Sequence, residues 1–249
     1  RLVGSEMCIR DSSNGVGNME KRYIIGIDQS TQGTKALLFD GVGHLLRRTD
    51  LPHRQIVNEK GWVSHDLNEI YRNTVQTVKT LVAESGVAPE TIAGIGISNQ
   101  RETTAIWDKA TGEPLEEAIV WQCGRASGIA QEIAEQGHAE EIREATGLQL
   151  SAYFPAAKMA WLLRNGGEER QKRAADGKLC LGTIDSWLVY KLTGDHAFKT
   201  DFSNASRTQL FNLKTLAWDE KICEMFGIPV CALARVCDSD AVYGTTTIC

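Results

Sequence analysis

Residues 23–40 read YIIGIDQSTQGTKALLFD. Two apolar runs, 23–28 and 35–40, flank a turn built from Gln, Ser, Thr and Gly, and a third run comes at 45–49 behind the Gly-rich turn 41–44. Connections this short join antiparallel neighbours, so the chain is expected to open as a hairpin meander. Asp66 stands where a helix cap belongs, and Ile70, Thr74, Val78, Leu81 and Val82 recur behind it at helical spacing, which predicts a helix over 67–83. The run IAGIGIS at 92–98 is continuously apolar around its glycines, as a buried central strand requires. Further strands are predicted at 103–108, 118–122 and 179–183, and helices at 128–136, 139–146, 156–164, 185–192 and 219–226. A meander and then alternating strands and helices predict an α/β domain, its mixed sheet carrying helices on both faces.

The whole chain has 249 residues, 42% hydrophobic and 24% charged, an ordinary globular balance. A net charge of −5 argues against nucleic acid or an anionic membrane as a partner. No apolar run approaches the roughly 18 residues that a membrane span needs. Seven cysteines, an odd number without a CxxC pair, fit neither a disulfide framework nor a zinc ribbon and point to a reducing, cytoplasmic setting. The five histidines, His44, His53, His65, His138 and His196, show no metal-ligand spacing. Residues 1–18, RLVGSEMCIRDSSNGVGN, differ in character from the rest of the chain and are taken as a non-native or disordered leader, with a single domain expected over 19–249.

Three polar stretches come directly after predicted strands. In the first, Asp28 ends a strand and Thr31, Gln32, Gly33 and Lys35 form the turn and the next strand's start. Hydroxyls, a glycine and exposed backbone N–H groups make an anion cradle, and an acid there can hold Mg²⁺ through water. The same residues also make an ordinary polar turn. There is no GxxxxGK[ST] loop and no GxGxxG. In the second, Arg101 and Glu102 come after the most apolar strand, where open α/β sheets place ligands; together they are suited either to grip the hydroxyls of a polyol or to pair with each other. In the third, Trp121 ends a strand and is either a platform for a carbon chain or plain core. Tyr153, just ahead of a predicted helix, says little alone, and Cys123 reads as a small apolar residue.

Together, DQSTQGTK (28–35), GWVSHD (61–66), GISNQRETT (96–104), AIVWQC (118–123), YFPAAKMAWLLRN (153–165) and TDFSNASRT (200–208) resemble the FGGY carbohydrate kinases, in particular their glycerol-phosphorylating branch. The resemblance covers nearly the whole chain from Met19 in the right order. It implies a ribonuclease-H-like domain of the actin-like ATPase fold, one of two lobes that close on ATP and an alcohol, and full-length proteins that assemble as homo-oligomers. It implies transfer of the γ-phosphoryl of ATP to a primary alcohol of a small polyol, glycerol foremost. By position, Asp28 would be the magnesium-linked acid. Thr31, Gln32, Gly33 and Lys35 would line the nucleotide phosphates, and Arg101, Glu102, Trp121 and Tyr153 would bind the substrate.

The chain departs from the family pattern in three places. Ser30, Gln32, Gly33 and Lys35 differ from the glycerol branch's usual phosphate turn, and Lys35 replaces an arginine's planar fork with a point charge. Gly124 stands in WQCGR where a second arginine is usual. The family's general-base Asp lies in a G-D-Q stretch, which is absent here and is expected beyond Cys249, so this length of chain is expected not to turn over by itself. Two further readings stay open: a kinase of the same family acting on a pentulose or another sugar, and a non-enzymatic, actin-like nucleotide switch.

Overall fold

The computed structural model describes residues 22–249 and, ahead of them, the backbone of one strand at 7–11. The elements, in chain order, begin with strands β1 (Met7–Asp11), β2 (Tyr23–Gln29), β3 (Gly33–Phe39), β4 (Leu45–Pro52), β5 (Ile56–Val57) and β6 (Val63–His65). Helix α1 (Leu67–Ser85) leads to β7 (Ile92–Asn99), β8 (Thr104–Asp108) and β9 (Ala118–Ile119). Helices α2 (Ser127–Glu135), α3 (Ala139–Thr146), α4 (Pro155–Asn165) and α5 (Gly167–Ala175) come next, then β10 (Leu179–Thr183) and α6 (Ile184–Leu192). The rest comprises β11 (Lys199–Asp201), α7 (Phe202–Ala205), β12 (Phe211–Asn212), β13 (Ala217–Trp218), α8 (Glu220–Phe226), β14 (Arg235–Cys237) and β15 (Val242–Thr246).

The strands form two main sheets, a six-stranded one in the order β15-β1-β7-β2-β3-β4 and a five-stranded one in the order β10-β8-β9-β6-β5. The meander is present: β2, β3 and β4 pair antiparallel, with Asp28 opposite Lys35. β7 lies parallel to β2, with Asp28 opposite Ser98 and Gln29 opposite Asn99. Parallel pairing brings the carboxyl ends of β2 and β7 to one edge, so the turn after Gln29 and the loop after Asn99 emerge side by side.

Alternation decides which side of the sheet is covered. Ile25, Ile27, Ala36 and Leu38 are buried, while Ile24 on the opposite face is half exposed. The buried face meets α1 and α6 in one core, which extends to Ala105, Trp107 and Cys180 of the second sheet. Ile106, Leu179 and Leu181, on that sheet's other face, enter a second core with α2, α4 and α8. The five-stranded sheet thus carries helices on both faces, and its strands β8 and β10 are almost wholly buried.

Helix α1 starts as expected: the Asp66 carboxylate accepts the N–H of Asn68 at 2.8 Å, and Gly86 closes the helix at φ 70°. Two differences from the sequence reading have physical causes. Helix α5 was not expected, because GEERQKRAA buries little besides Ala174 and carries no apolar stripe. Strand β9 stops at Ile119, short of the expected 122, as residues 121–122 turn out of the ladder. Within the stretch taken as a leader, Met7–Asp11 runs antiparallel to β7 and parallel to β15. Residues 1–6 and 12–21, including the expected domain start at Met19, lie outside the described residues.

Candidate active site

The site gathers at the carboxyl ends of β2, β7 and β9. Asp28 and Lys35 face each other across β2 and β3, Nζ to Oδ2 at 2.8 Å, both side chains partly exposed. Lys35, Ser30, Gln32 and Gly33 line a cavity of ≈ 270 Å³ beside Asp50–Pro52. Gly33 has its own reason to be glycine, since a Cβ there would stand 2.6 Å from the carbonyl oxygen of Leu51 on β4. Thr31, Gln32, His53, Gln55, Trp121 and Gln122 line a neighbouring cavity of ≈ 400 Å³.

A relay of uncharged hydrogen bonds joins the loops. The backbone N–H of Gln100 donates to the Gln29 carbonyl at 2.6 Å, and its Nε2 donates to Gln29 Oε1 at 3.1 Å and to the Ser30 carbonyl at 3.2 Å. Thr103 Oγ1 donates to Gln100 Oε1 at 2.8 Å and accepts the backbone N–H of Trp121 at 3.2 Å. The Trp121 indole N–H closes the circuit on Thr31 Oγ1 at 3.0 Å. Gln29, Gln100 and Thr103 are buried, so water competes little for these bonds and the three loops are held in fixed relation.

Arg101 and Glu102 do not pair with each other. Arg101 is exposed, and no hydrogen bond or ion pair forms on it among the described residues. Glu102 is buried, adopts the left-handed conformation at φ 62°, and accepts from Arg207 Nε at 2.6 Å. Trp121 and Tyr153 meet with ring centroids 5.7 Å apart, and both border a third cavity of ≈ 250 Å³ with Cys123, Gly124, Ser127 and Ser151. Tyr153 is 38% exposed, a half-open aromatic wall.

Behind this wall lies a buried polar cluster. Lys158 Nζ donates to the carbonyls of Ala152 and Tyr153, both at 2.5 Å. Desolvation pushes its ammonium down to about 7, against the pull of Cys123 and Glu102. Cys123 is more than the small apolar residue its sequence context implies. Burial opposes ionisation of its thiol, but hydrogen bonds from Arg125 and from the N–H of Val63 outweigh it and hold the thiol below its ordinary value. The Arg125 guanidinium lies over the rings of Trp62 and Trp161, at 5.0 and 5.3 Å.

Of the predicted site residues, Asp28 lies in β2, Gly33 and Lys35 lie in β3, and Thr31, Gln32, Arg101, Glu102, Trp121 and Tyr153 lie in connections between elements; Asp28–Lys35, Thr31–Trp121 and Trp121–Tyr153 are in direct contact. Sequence reasoning missed the relay Gln29–Gln100–Thr103, the carbonyl clamp of Lys158 and the partner of Glu102. The only signal for Arg207 was the TDFSNASRT stretch, which carried resemblance but no role. Among the described residues no group of three or more His, Cys, Asp or Glu could hold a metal ion. Asp28 suits a magnesium held through water: it is a hard oxygen donor, 44% exposed at the mouth of the turn.

Residues 23–249 match the model of the N-terminal domain of the FGGY family of carbohydrate kinases. The chain belongs to that family. It is 45% identical over 225 residues to "Glycerol kinase 2" of Thermotoga maritima, covering 90% of this chain and 45% of that protein. Among solved structures, the glycerol kinase of Plasmodium falciparum with ADP superposes with a TM-score of 0.83 at 34% identity, over 93% of this chain and 46% of that one. The ligand-bound xylulose kinase from Lactobacillus acidophilus gives 0.77 at 26% identity, over 86% and 42%. The chain spans about half the length of the curated relatives it matches. The fold is the expected one, a mixed α/β domain of the actin-like ATPase class.

Proposed function

We propose that residues 22–249 form the alcohol-binding lobe of an ATP-dependent kinase that phosphorylates a primary hydroxyl of a small polyol, glycerol being the first choice. The relay that ties the phosphate turn to Trp121 carries the reading, because it holds an anion-cradling loop and a half-open aromatic wall at one edge. Likeness to "Glycerol kinase 2" at 45% identity, against 26% for the xylulose kinase, favours glycerol over a pentulose. Five cysteines among the described residues, Cys123, Cys180, Cys223, Cys231 and Cys237, are free thiols, which suits the cytoplasm. No helix among them is long and apolar enough to cross a membrane.

In this reading Thr31, Gln32, Gly33 and Lys35 receive the phosphates of ATP. Asp28 would hold Mg²⁺, which would supply positive charge to offset that on the transferred phosphoryl. Trp121 and Tyr153 pack on the carbon chain, and Arg101 and Glu102 take its hydroxyls, which sets one terminal oxygen toward the phosphate turn. The proton of the attacking hydroxyl passes to an Asp of the second lobe. An isolated lobe aligns neither partner, so the 249-residue chain alone is expected to show no glycerol-dependent ADP release; robust turnover would overturn this. The test of the reading itself is Glu102→Lys in the two-lobe protein. A kinase loses polyol affinity while keeping its affinity for ATP, whereas a nucleotide switch is indifferent.

A further inference from the structure

Glu102 sits in a backbone conformation that a residue with a Cβ rarely adopts, and its side chain is 5% exposed. Such a residue keeps its place only where tertiary contacts over-determine it. The Thr104 hydroxyl donates to its carbonyl at 3.0 Å, and Arg207 Nε donates to Oε1 at 2.6 Å. Oε2 accepts no hydrogen bond among the described residues.

Arg207 is itself held from several sides. Asp201 caps α7 by accepting the N–H of Asn204 at 2.7 Å and also takes its amide Nδ2 at 2.8 Å. Asn204 Oδ1 then accepts from Asn99 Nδ2 at 3.0 Å, at the end of β7. The N–H of Ala156, in the first turn of α4, donates to the Thr208 carbonyl at 2.9 Å, and the Arg207 guanidinium lies 5.0 Å above the ring of Phe154. The stretch 200–208 thus buckles the Asn99–Glu102 loop to the Tyr153 wall, with Arg207 at the clasp.

The structure assigns Arg207 as a positioning residue for alcohol binding: it fixes one oxygen of Glu102 so that the other faces a ligand hydroxyl. This rests on the kinase reading given above. It adds a residue whose role is exerted through Glu102 and not through the nucleotide.

The experiment compares R207Q, R207K, E102Q and the double variant E102Q/R207Q in the two-lobe protein, with glycerol and ATP as substrates. R207Q is expected to raise KM for glycerol roughly 10- to 100-fold, the range of a lost hydrogen bond to a charged group, and to leave KM for ATP within about twofold. R207K, which keeps the charge without the fork, recovers part of the loss. The double variant is no worse than E102Q, because the two act as a unit. An unchanged KM for glycerol in R207Q, or effects that multiply in the double variant, overturns the assignment. If R207Q does not fold, R207K carries the comparison. If the unaltered protein phosphorylates no alcohol, the kinase reading falls. The Arg207–Glu102 coupling is then read from unfolding free energies of the unaltered protein, R207Q, E102Q and E102Q/R207Q, where additivity overturns it.

Discussion

The indole N–H of Trp121 donates to the Thr31 hydroxyl at 3.0 Å, joining residues 90 positions apart. The bond spans from the hairpin of the six-stranded sheet to the loop after β9 of the other sheet. It makes the aromatic platform and the turn tip one unit, so each senses movement of the other.

Replacing Trp121 by Phe keeps a ring and removes the donor. Loss of one neutral hydrogen bond at a half-buried position is expected to lower unfolding free energy by about 1 kcal/mol. In the two-lobe protein the same change is expected to raise KM for both glycerol and ATP, since platform and phosphate turn lose their link. Urea unfolding and steady-state kinetics read the two effects. A change confined to glycerol would show that the bond does not couple them.

Gly33→Ala places a Cβ 2.6 Å from the Leu51 carbonyl oxygen, a backbone atom that cannot swing aside. Strands β3 and β4 must separate locally, which is expected to cost about 1–3 kcal/mol. Chemical denaturation of the alanine variant is the check, and a wild-type midpoint would mean that the hairpin yields freely.

His53 and His65 meet edge to face at 4.5 Å, a pair invisible in a sequence where they stand 12 positions apart as 53 and 65. Burial, with His53 adding to it, pushes the His65 imidazole down to about 4, and burial lowers His53 as well. The unfolded chain protonates such a histidine near its ordinary value of about 6.5. Between roughly pH 6.5 and 4 the unfolded state therefore binds protons that the folded state refuses. The contribution of His65 is fully present above that window and is lost as pH falls through it, by up to about 3 kcal/mol. His65→Asn should flatten the fall of unfolding free energy with acid. Parallel pH profiles of variant and parent would contradict this.

Lys158 gives the corresponding effect at alkaline pH. Its ammonium, desolvated and pushed down to about 7, is ordinarily protonated up to about 10.4 in an unfolded chain. As pH falls from roughly 10.4 to 7 the unfolded state gains a proton that the folded state resists, so this site's contribution declines over that window. Lys158→Met leaves the carbonyls of Ala152 and Tyr153 without their donor and destabilises at every pH. Its penalty should shrink by up to about 4 kcal/mol between pH 10 and 7. Unfolding of both proteins across that range measures it, and a constant penalty would refute the buried-ammonium account.

Local signals carried most of the elements. Alternation over 23–40, the Asp66 cap with its apolar stripe, and the glycine-rich run at 92–98 each state their structure within a few residues, because burial periodicity and capping are short-range effects. Helix α5 was silent because it is polar all round and is kept in place by neighbours such as the Arg170–Glu116 pair. In the site, Asp28, Thr31, Gln32, Gly33, Lys35, Arg101 and Glu102 were legible as polar residues at strand ends. Trp121 and Tyr153 were legible only through resemblance.

The order of residues determined that this is an α/β chain with polar loops after its apolar strands, because strand alternation, caps and turns depend on near neighbours; the FGGY family was legible only through the resemblance of its motifs. Tertiary structure alone decided that Glu102 pairs with Arg207 and not with Arg101 next to it, and that Thr31 answers to Trp121. Hydrogen-bond partners are set by which strand ends the parallel pairing of β2 and β7 brings to one edge, and sequence distance carries no information about that.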